Sequence, residues 1–422
     1  MKGVSRPSDN TKLELYGLDM SRQVHAGLLD HRVEKKMTEV IIAGIGQTEV
    51  GEHWDIGLRE LAFAAIQEAV KDSGGFKPES LFVGNMLAPN LSNQAHLGVL
   101  LADYAGLLGI EAVTIEAAGA SGSAALRQGY LAVASGMVNV ALVVGVEKFT
   151  DKVGSGVDAA LATTGDADFE AVQGMTPAAQ AALLMKRYMH EYQVPAHGFA
   201  GFALIAHANG VGNPCAMFRK AIKPETYTKA EMVSDPLNIF DMAPHADGAA
   251  ALVLTRRELV PSNHPKPLVK ISGSAASSDT LALHDRKDML SFDTAQISAE
   301  KAMKQAGIIL DDIDFFEYHD VFSIYAALQL EAVGFAMKGQ GWKLAADEAI
   351  SLKGKIPCAT MGGMKARGFA GGAAGIYQAV EAAIQLRGQA GTNQVPNAKT
   401  ALIQSLGGPA STAVSHILQQ LA

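Results

Sequence analysis

Cysteine is nearly missing from this chain: Cys215 and Cys358 are the two in 422 residues. Two thiols make neither a disulfide framework nor, by themselves, a four-ligand zinc site, and they point to a reduced compartment. Charge is also sparse, at 18% of residues, which argues against disorder. Positive charge is in the minority, with 35 Lys plus Arg against 43 Asp plus Glu and a net −8. That balance excludes a chain-wide electrostatic footprint for nucleic acid. No apolar run is long enough for an export signal or a membrane span, and the later ones are interrupted by glycine. The expectation is a cytoplasmic protein with no nucleic-acid or membrane partner. Glycine is abundant, at 43 residues, yet has no triplet period, so collagen is excluded. What is present is 48% hydrophobic residues, enough for a large core. At ~150 residues per domain the length suggests roughly three domain-sized units.

One pattern occurs twice. Ile66-Gln-Glu-Ala-Val-Lys-Asp-Ser-Gly74 and Ala302-Met-Lys-Gln-Ala-Gly307 both read as the end of an amphipathic helix stopped by glycine. A short acidic turn and a strand follow each: Leu81-Phe-Val-Gly-Asn85 in one half, Ile313-Asp-Phe-Phe-Glu-Tyr-His319 in the other. Glycine-rich loops then lead into long helices at Gly119–Ala134 and Gly371–Leu386, before strands Val140–Gly145 and Ala401–Leu406. Strands alternating with helices predict an α/β fold of sheets between helical layers, and the repetition predicts an internal duplication.

The expected boundaries are an extension at 1–36, a first half at 37–260 and a second half at 261–422. Residues 1–36 are polar and read as an extension ahead of the fold or as an arm that docks on a partner subunit. Residues 151–238 fit neither half and read as an inserted helical lid, with helices at Pro177–Tyr192 and Phe199–Gly210. The run Met185–Tyr192 reads as an amphipathic helix packing Met and Tyr inward rather than as a cofactor box. The Pro-rich stretch Pro261–Pro267 connects the halves.

Generic motifs fail. Gly44-Ile-Gly46 lacks the third glycine of a dinucleotide fingerprint, no phosphate-binding loop ends in Gly-Lys-Ser/Thr, and His190-Glu191 has no second histidine at metalloprotease spacing. Gly119-Ala-Ser121-Gly-Ser123 misses the hydrolase nucleophile elbow by its last residue, and such small residues more often serve close packing.

A larger pattern succeeds. The block Ile115–Tyr130 (IEAAGASGSAALRQGY) resembles the nucleophile loop of the thiolase superfamily. Ala141–Asp151, His319-Asp320-Val-Phe322, Gly362-Gly363-Met-Lys365-Ala-Arg367-Gly368 and the terminal Gly407-Gly408 loop match in order and spacing, over about residues 37–422. The nearest resemblance is to archaeal-type acetoacetyl-CoA thiolases and the thiolase of sterol carrier protein x. Both carry His-Asp-x-Phe where bacterial biosynthetic enzymes have Asn-Glu-x-Phe. The resemblance implies a five-layered, duplicated α-β-α-β-α fold and a homodimer or dimer of dimers. It also implies a coenzyme A thioester as substrate, with no covalently bound cofactor and no metal. Gly119, Ser121, Asp320, Phe322, Gly362, Gly363, Phe369, Gly407 and Gly408 would border that substrate.

The departures are informative. Thiolases acylate a cysteine where this chain has Gly119. They activate it with the histidine of a Gly-His-Pro block, where this chain reads Gly368-Phe369-Ala370. The second, acid/base cysteine has no counterpart near Ser405, whose hydroxyl does not titrate near neutral pH. Three coordinated losses point to divergence rather than one accidental substitution. Cys358 and Cys215 read as structural thiols rather than stand-ins.

What survives is a site for an enolate: His319 for the thioester oxygen, and backbone N–H groups at Gly407-Gly408 as an oxyanion site. The missing side chain at 119 is expected to leave room for water or a bulkier substrate. Such a pocket suits retro-aldol cleavage of a 3-hydroxyacyl-CoA, which needs no acyl-enzyme. Thiolase-like steroid side-chain aldolases, which work with a zinc-ribbon/OB-fold partner, supply the precedent. Tyr318 and Tyr325 are candidate bases, each needing its pKa of ~10 lowered or a relay through His319. Strand alternation turns Tyr318 away from His319, so Tyr325 is preferred. Asp320 is expected to fix the loop or orient His319. An acyltransferase with an unrecognised nucleophile and a silent acyl-CoA-binding subunit are the alternatives.

Overall fold

The computed structural model describes residues 38–262, 264 and 266–421; the expected extension at 1–36 lies outside the described residues. The first half runs β1 (Val40–Gln47), α1 (Leu58–Asp72), β2 (Ser80–Gly84), β3 (Glu111–Ile115), α2 (Ser121–Ser135), β4 (Val140–Glu147). After an insertion carrying α3 (Pro177–Tyr192) and α4 (Ala200–Gly210), it closes with β5 (Gly248–Arg256). The second half runs β6 (Val269–Ser278), α5 (Asp293–Ala306), β7 (Phe315–Glu317), α6 (Ser323–Val333), α7 (Ala374–Leu386), β8 (Thr400–Gly407) and β9 (Thr412–Gln420).

These strands form one sheet in the order β3-β2-β4-β5-β1-β6-β9-β8-β7. In the first half β2 is parallel to β3 and β4, while β4–β5 and β5–β1 are antiparallel. The second half repeats this: β7 is parallel to β8 and to a single bridge at Cys358, while β8–β9 and β9–β6 are antiparallel. The duplication expected from the helix and strand pairs is therefore a repeat of strand order and sense. The halves meet where β1 and β6 pair, at Ile41↔Lys270 and Ile42↔Val269.

Alternation along the strands builds the layers. On β4, Leu142, Val144 and Val146 pack with Leu61, Ala65 and Ile66 of α1. Ala141 and Val143 of the same strand turn to the other face, toward Leu126 of α2 and Ile376 and Val380 of α7. A strand covered on both faces reads as an unbroken apolar run, as Val140–Val144 does. Helix α5 covers β6 and β9. The central helices α2 and α7 pack against each other and against both halves, giving the α-β-α-β-α layering. Glycine permits their close approach: a Cβ on Gly122 would lie 2.6 Å from the Gly372 carbonyl oxygen, and one on Gly375 2.5 Å from the Ser123 nitrogen. Helix α7 is buried along its length except at Ile384.

Candidate active site

A cleft of about 680 Å³, its open mouth included, lies where the ends of β7 and β8 face the turn into α2. Gly119, His319, Phe322, Tyr325, Phe369 and Gly408 line it. The insertion supplies another wall through Leu161, Thr164, Glu170, Thr176 and Gln180.

The floor is the turn Ala117–Ser121. Ser121 Oγ donates to the Ala118 carbonyl at 2.6 Å and accepts from the Ala117 N–H at 2.9 Å, tying the turn to the helix start. Ala118 takes a left-handed φ of 48°, a conformation that costs a non-glycine residue energy and persists only where its surroundings hold it. Ser121 is thus buried in the turn and does not line the cleft. A Cβ built on Gly119 would lie 2.8 Å from the Leu406 carbonyl oxygen, 2.9 Å from His319 Cε1 and 3.3 Å from Nε2. This corrects the expectation of free room at 119. The strand end and the imidazole already occupy the space a side chain would need.

His319 follows β7, and buried side-chain amides hold its backbone. Gln378 Nε2 donates to the Glu317 and Tyr318 carbonyls at 3.0 and 2.7 Å. Gln329 accepts from the His319 N–H at 3.0 Å and donates to its carbonyl at 2.7 Å. The imidazole edge faces Gly119, and Nδ1 has no hydrogen-bond partner among the described residues. Burial, with the Arg367 charge, lowers the His319 pKa to about 3, so the ring is neutral at pH 7. Asp320 fixes the loop rather than orienting His319: its Oδ1 accepts from the Met364 N–H at 2.7 Å. Gly362 and Gly363 take positive φ in that same loop, behind the cleft. Gly407 ends β8 against Ala117, where a Cβ would lie 2.6 Å from the Ala117 carbonyl oxygen. It is Gly408 that reaches the cleft, and neither its N–H nor that of Gly119 has an acceptor among the described residues.

The two tyrosines part company. Tyr318 packs against Phe202 and Phe316, away from the cleft, and burial pushes its pKa well above the usual value. Tyr325 lines the cleft between Phe292 and Phe322, and burial raises its pKa too. A phenol harder to ionise than usual is a poor base, so both expected base roles are corrected; Tyr325 is suited to donating a hydrogen bond. Neither cysteine lines the cleft. Cys358 donates to the Ile356 carbonyl at 3.2 Å, and burial raises both thiols, Cys215 to about 11. Ser405 is structural, sharing hydrogen bonds with Ser123 and Gln378 at 2.8 and 2.6 Å.

His245 was not singled out in the sequence, yet it lines the cleft and stacks on Phe149 at 4.9 Å between ring centroids. The available signal was a histidine two residues before the Asp247-Gly248 pair that opens an apolar strand. Among the described residues no group of three or more His, Cys, Asp or Glu side chains is placed to hold a metal.

Duplicated halves, layered sheets and a cleft between the halves, beside the turn that leads into α2, define a duplicated α/β protein with one candidate site at the strand ends. The description "Thiolase, N-terminal domain" matches residues 40–258, and "Thiolase C-terminal domain-like" matches 275–420. The chain belongs to the thiolase family. It is 39% identical, over 91% of its length and 100% of the relative's, to an acetyl-CoA acetyltransferase of Methanothermobacter thermautotrophicus. It is 30% identical to benzoylsuccinyl-CoA thiolase subunit BbsB of Thauera aromatica, over 89% of this chain and 96% of that one. Among solved structures, an Ltp2-ChsH2(DUF35) aldolase superposes with a TM-score of 0.77 at 24% identity, over 90% of this chain and 98% of that one. No helix among the described residues is long and apolar enough to cross a membrane.

Proposed function

We propose that this protein acts on coenzyme A thioesters and makes or breaks a carbon–carbon bond without forming an acyl-enzyme, as a retro-aldol lyase does. The observation that carries this reading is Gly119: the residue under His319 has no side chain to acylate, and the Leu406 carbonyl and the imidazole leave no room for one. The thioester oxygen would sit against His319 and the N–H groups of Gly119 and Gly408. We assign the His319 proton to Nε2, because the buried Nδ1 then remains an acceptor rather than an orphaned donor. Donors fixed before the reaction favour an oxygen that gains negative charge, by several kcal/mol in good cases. His319, Tyr325 and Phe322 shape the reacting end.

The assembly in this reading is a homodimer or dimer of dimers that works with a zinc-ribbon/OB-fold protein. The name of the Ltp2-ChsH2(DUF35) aldolase, a fold neighbour, supports testing such a partner. A second reading, an acyltransferase with another nucleophile, is favoured by the name of the acetyl-CoA acetyltransferase relative.

Product analysis separates them. A 3-hydroxyacyl-CoA supplied without free coenzyme A should give a carbonyl compound and a shorter acyl-CoA. Turnover of a 3-oxoacyl-CoA that requires free coenzyme A would contradict the lyase reading. No turnover of either substrate would favour a silent acyl-CoA-binding subunit.

A further inference from the structure

The cleft holds a second imidazole that no part of the reading above employs. His245 lies in the segment that leads into β5, and two sets of contacts fix it. The first is a backbone bridge: the Phe369 N–H donates to the Pro244 carbonyl at 2.8 Å, and the Ala246 N–H donates to the Phe369 carbonyl at 3.1 Å. The second is Asp247, fully buried two residues on. Its Oδ1 accepts from the Phe149 and Thr150 N–H groups at 2.7 and 3.0 Å, and its Oδ2 pairs with Lys148 at 3.1 Å. Phe149, so anchored, stacks flat on the His245 ring with 21° between the planes.

The backbone and one ring face are thus fixed, yet neither ring nitrogen of His245 has a hydrogen-bond partner among the described residues. Phe369 stands between the two imidazoles, its centroid 6.2 Å from His245 and 5.7 Å from His319. The His245 ring is half-buried, so its nitrogens are open to the cleft, where a substrate group can meet them. Burial lowers this ring's pKa to about 4, which leaves it unprotonated at pH 7 but a weaker base than a free imidazole, so its assignment stands on its place in the cleft and its unpartnered nitrogens.

We propose that His245 is the proton-transfer base of the cleft, while His319 holds the thioester oxygen. This rests on the carbon–carbon lyase reading and supplies the base that the tyrosines cannot. In the cleavage direction, an unprotonated His245 nitrogen takes the proton of the C3 hydroxyl. The O–H electron pair becomes the new carbonyl bond, and the C2–C3 bond breaks. Its electrons move into the thioester enolate, whose oxygen accepts from His319. Once the carbonyl product leaves, protonated His245 returns its proton to C2, and base and charge are restored. No oxidant, reductant or co-reactant enters.

The test uses acetyl-CoA in D2O, with deuterium entry at C2 followed by NMR at saturating acetyl-CoA. It compares the unaltered protein with His245→Phe, His245→Gln and His319→Ala. The unaltered protein should exchange the C2 protons, and the His245 variants should lose about a hundredfold in rate, the lower end of what a general base supplies, with acetyl-CoA binding unchanged. His245→Gln keeps the residue polar and carries the test if His245→Phe fails to fold. Loss of less than about tenfold in a folded His245 variant, or loss explained by weaker binding, overturns the role of His245. If His319→Ala alone abolishes exchange, the enolate reading stands without His245. An unaltered protein no faster than buffer overturns the enolate reading and this inference together.

Discussion

Strands β2 and β4 of the first half end beside each other, as do their counterparts β7 and β8 in the second, but the two ends are finished in opposite ways. In the first half Glu147 closes the end. Its buried carboxylate accepts from Asn85 Nδ2 at 3.0 Å and from the N–H groups of Met86, Leu87 and Gly372 at 2.9, 3.1 and 2.9 Å. In the second half the position after β8 is Gly408, and the residue after β7 and Tyr318 is His319, whose imidazole is unpartnered at Nδ1. One copy of the repeat has an acceptor that takes four donors. The other leaves donors to spare around a neutral ring. A duplicated scaffold can thus spend its donors at one strand end and leave donors unspent at the other, where the proposed reaction would place an oxygen that becomes negative.

The strongest way to break this comparison is to empty the open end. His319→Ala should lower turnover, or acetyl-CoA C2 exchange, by about a hundred- to a thousandfold, the range for losing one oxyanion donor. The thermal unfolding midpoint should fall only by the packing lost with a buried ring, since its Nδ1 has no hydrogen bond to lose among the described residues. Emptying the closed end should do the reverse. Glu147→Ala strands several buried donors at a cost of about 1–3 kcal/mol each, so denaturant unfolding should show a loss of several kcal/mol. An unchanged midpoint there would remove the structural role assigned to Glu147.

Gly119→Cys sharpens the contrast further. The new side chain meets the Leu406 carbonyl and His319, so overpacking should cost about 1–3 kcal/mol, read by chemical denaturation. Thiolysis of acetoacetyl-CoA should not appear, because Phe369 stands where the family resemblance places the activating histidine, and His319, the imidazole beside the new side chain, is too weak a base with its pKa lowered to about 3. The smallest effect is a titration. The folded His319 pKa, lowered to about 3, lies below the ordinary 6.5. The ring is then neutral throughout pH 5–8, and its NMR signals should not move there. The unfolded chain binds the extra proton below pH 6.5, so this ring's burial weakens the fold as pH falls through that window. An NMR midpoint near 6.5 would contradict the neutral-donor role.

Much of the scaffold was legible because local pattern and long-range order agree. Pro177–Tyr192 is a helix at the expected bounds, with Thr176 capping it by accepting from the Ala179 N–H at 3.2 Å. The strand expected over Ile313–His319 shrinks to Phe315–Glu317. Beyond it the backbone of Tyr318 and His319 bonds to the amides of Gln378 and Gln329 instead of a neighbouring strand, and no local pattern announces such partners. Tyr325 was preferred over Tyr318 on strand alternation. Tyr318 does face away, but neither it nor His319 lies on the strand, which ends at Glu317, and burial raises the pKa of both tyrosines, against a base role. That Gly119 has no side chain to acylate can be read from one position. The missing space above it cannot, because that depends on where a carbonyl 287 residues later comes to rest. The place of His245 is not legible in the sequence for the same reason: it depends on Phe149 and Phe369, brought beside it by β4 and the turn into α7.

The central claim is that no side chain of this protein carries the acyl group. Intact-mass spectrometry of the full chain, quenched in acid during incubation with acetyl-CoA, tests it most directly. The account predicts the unmodified mass at every time point. An acetyl adduct that forms and decays with turnover, mapped to any side chain of the cleft, would contradict it.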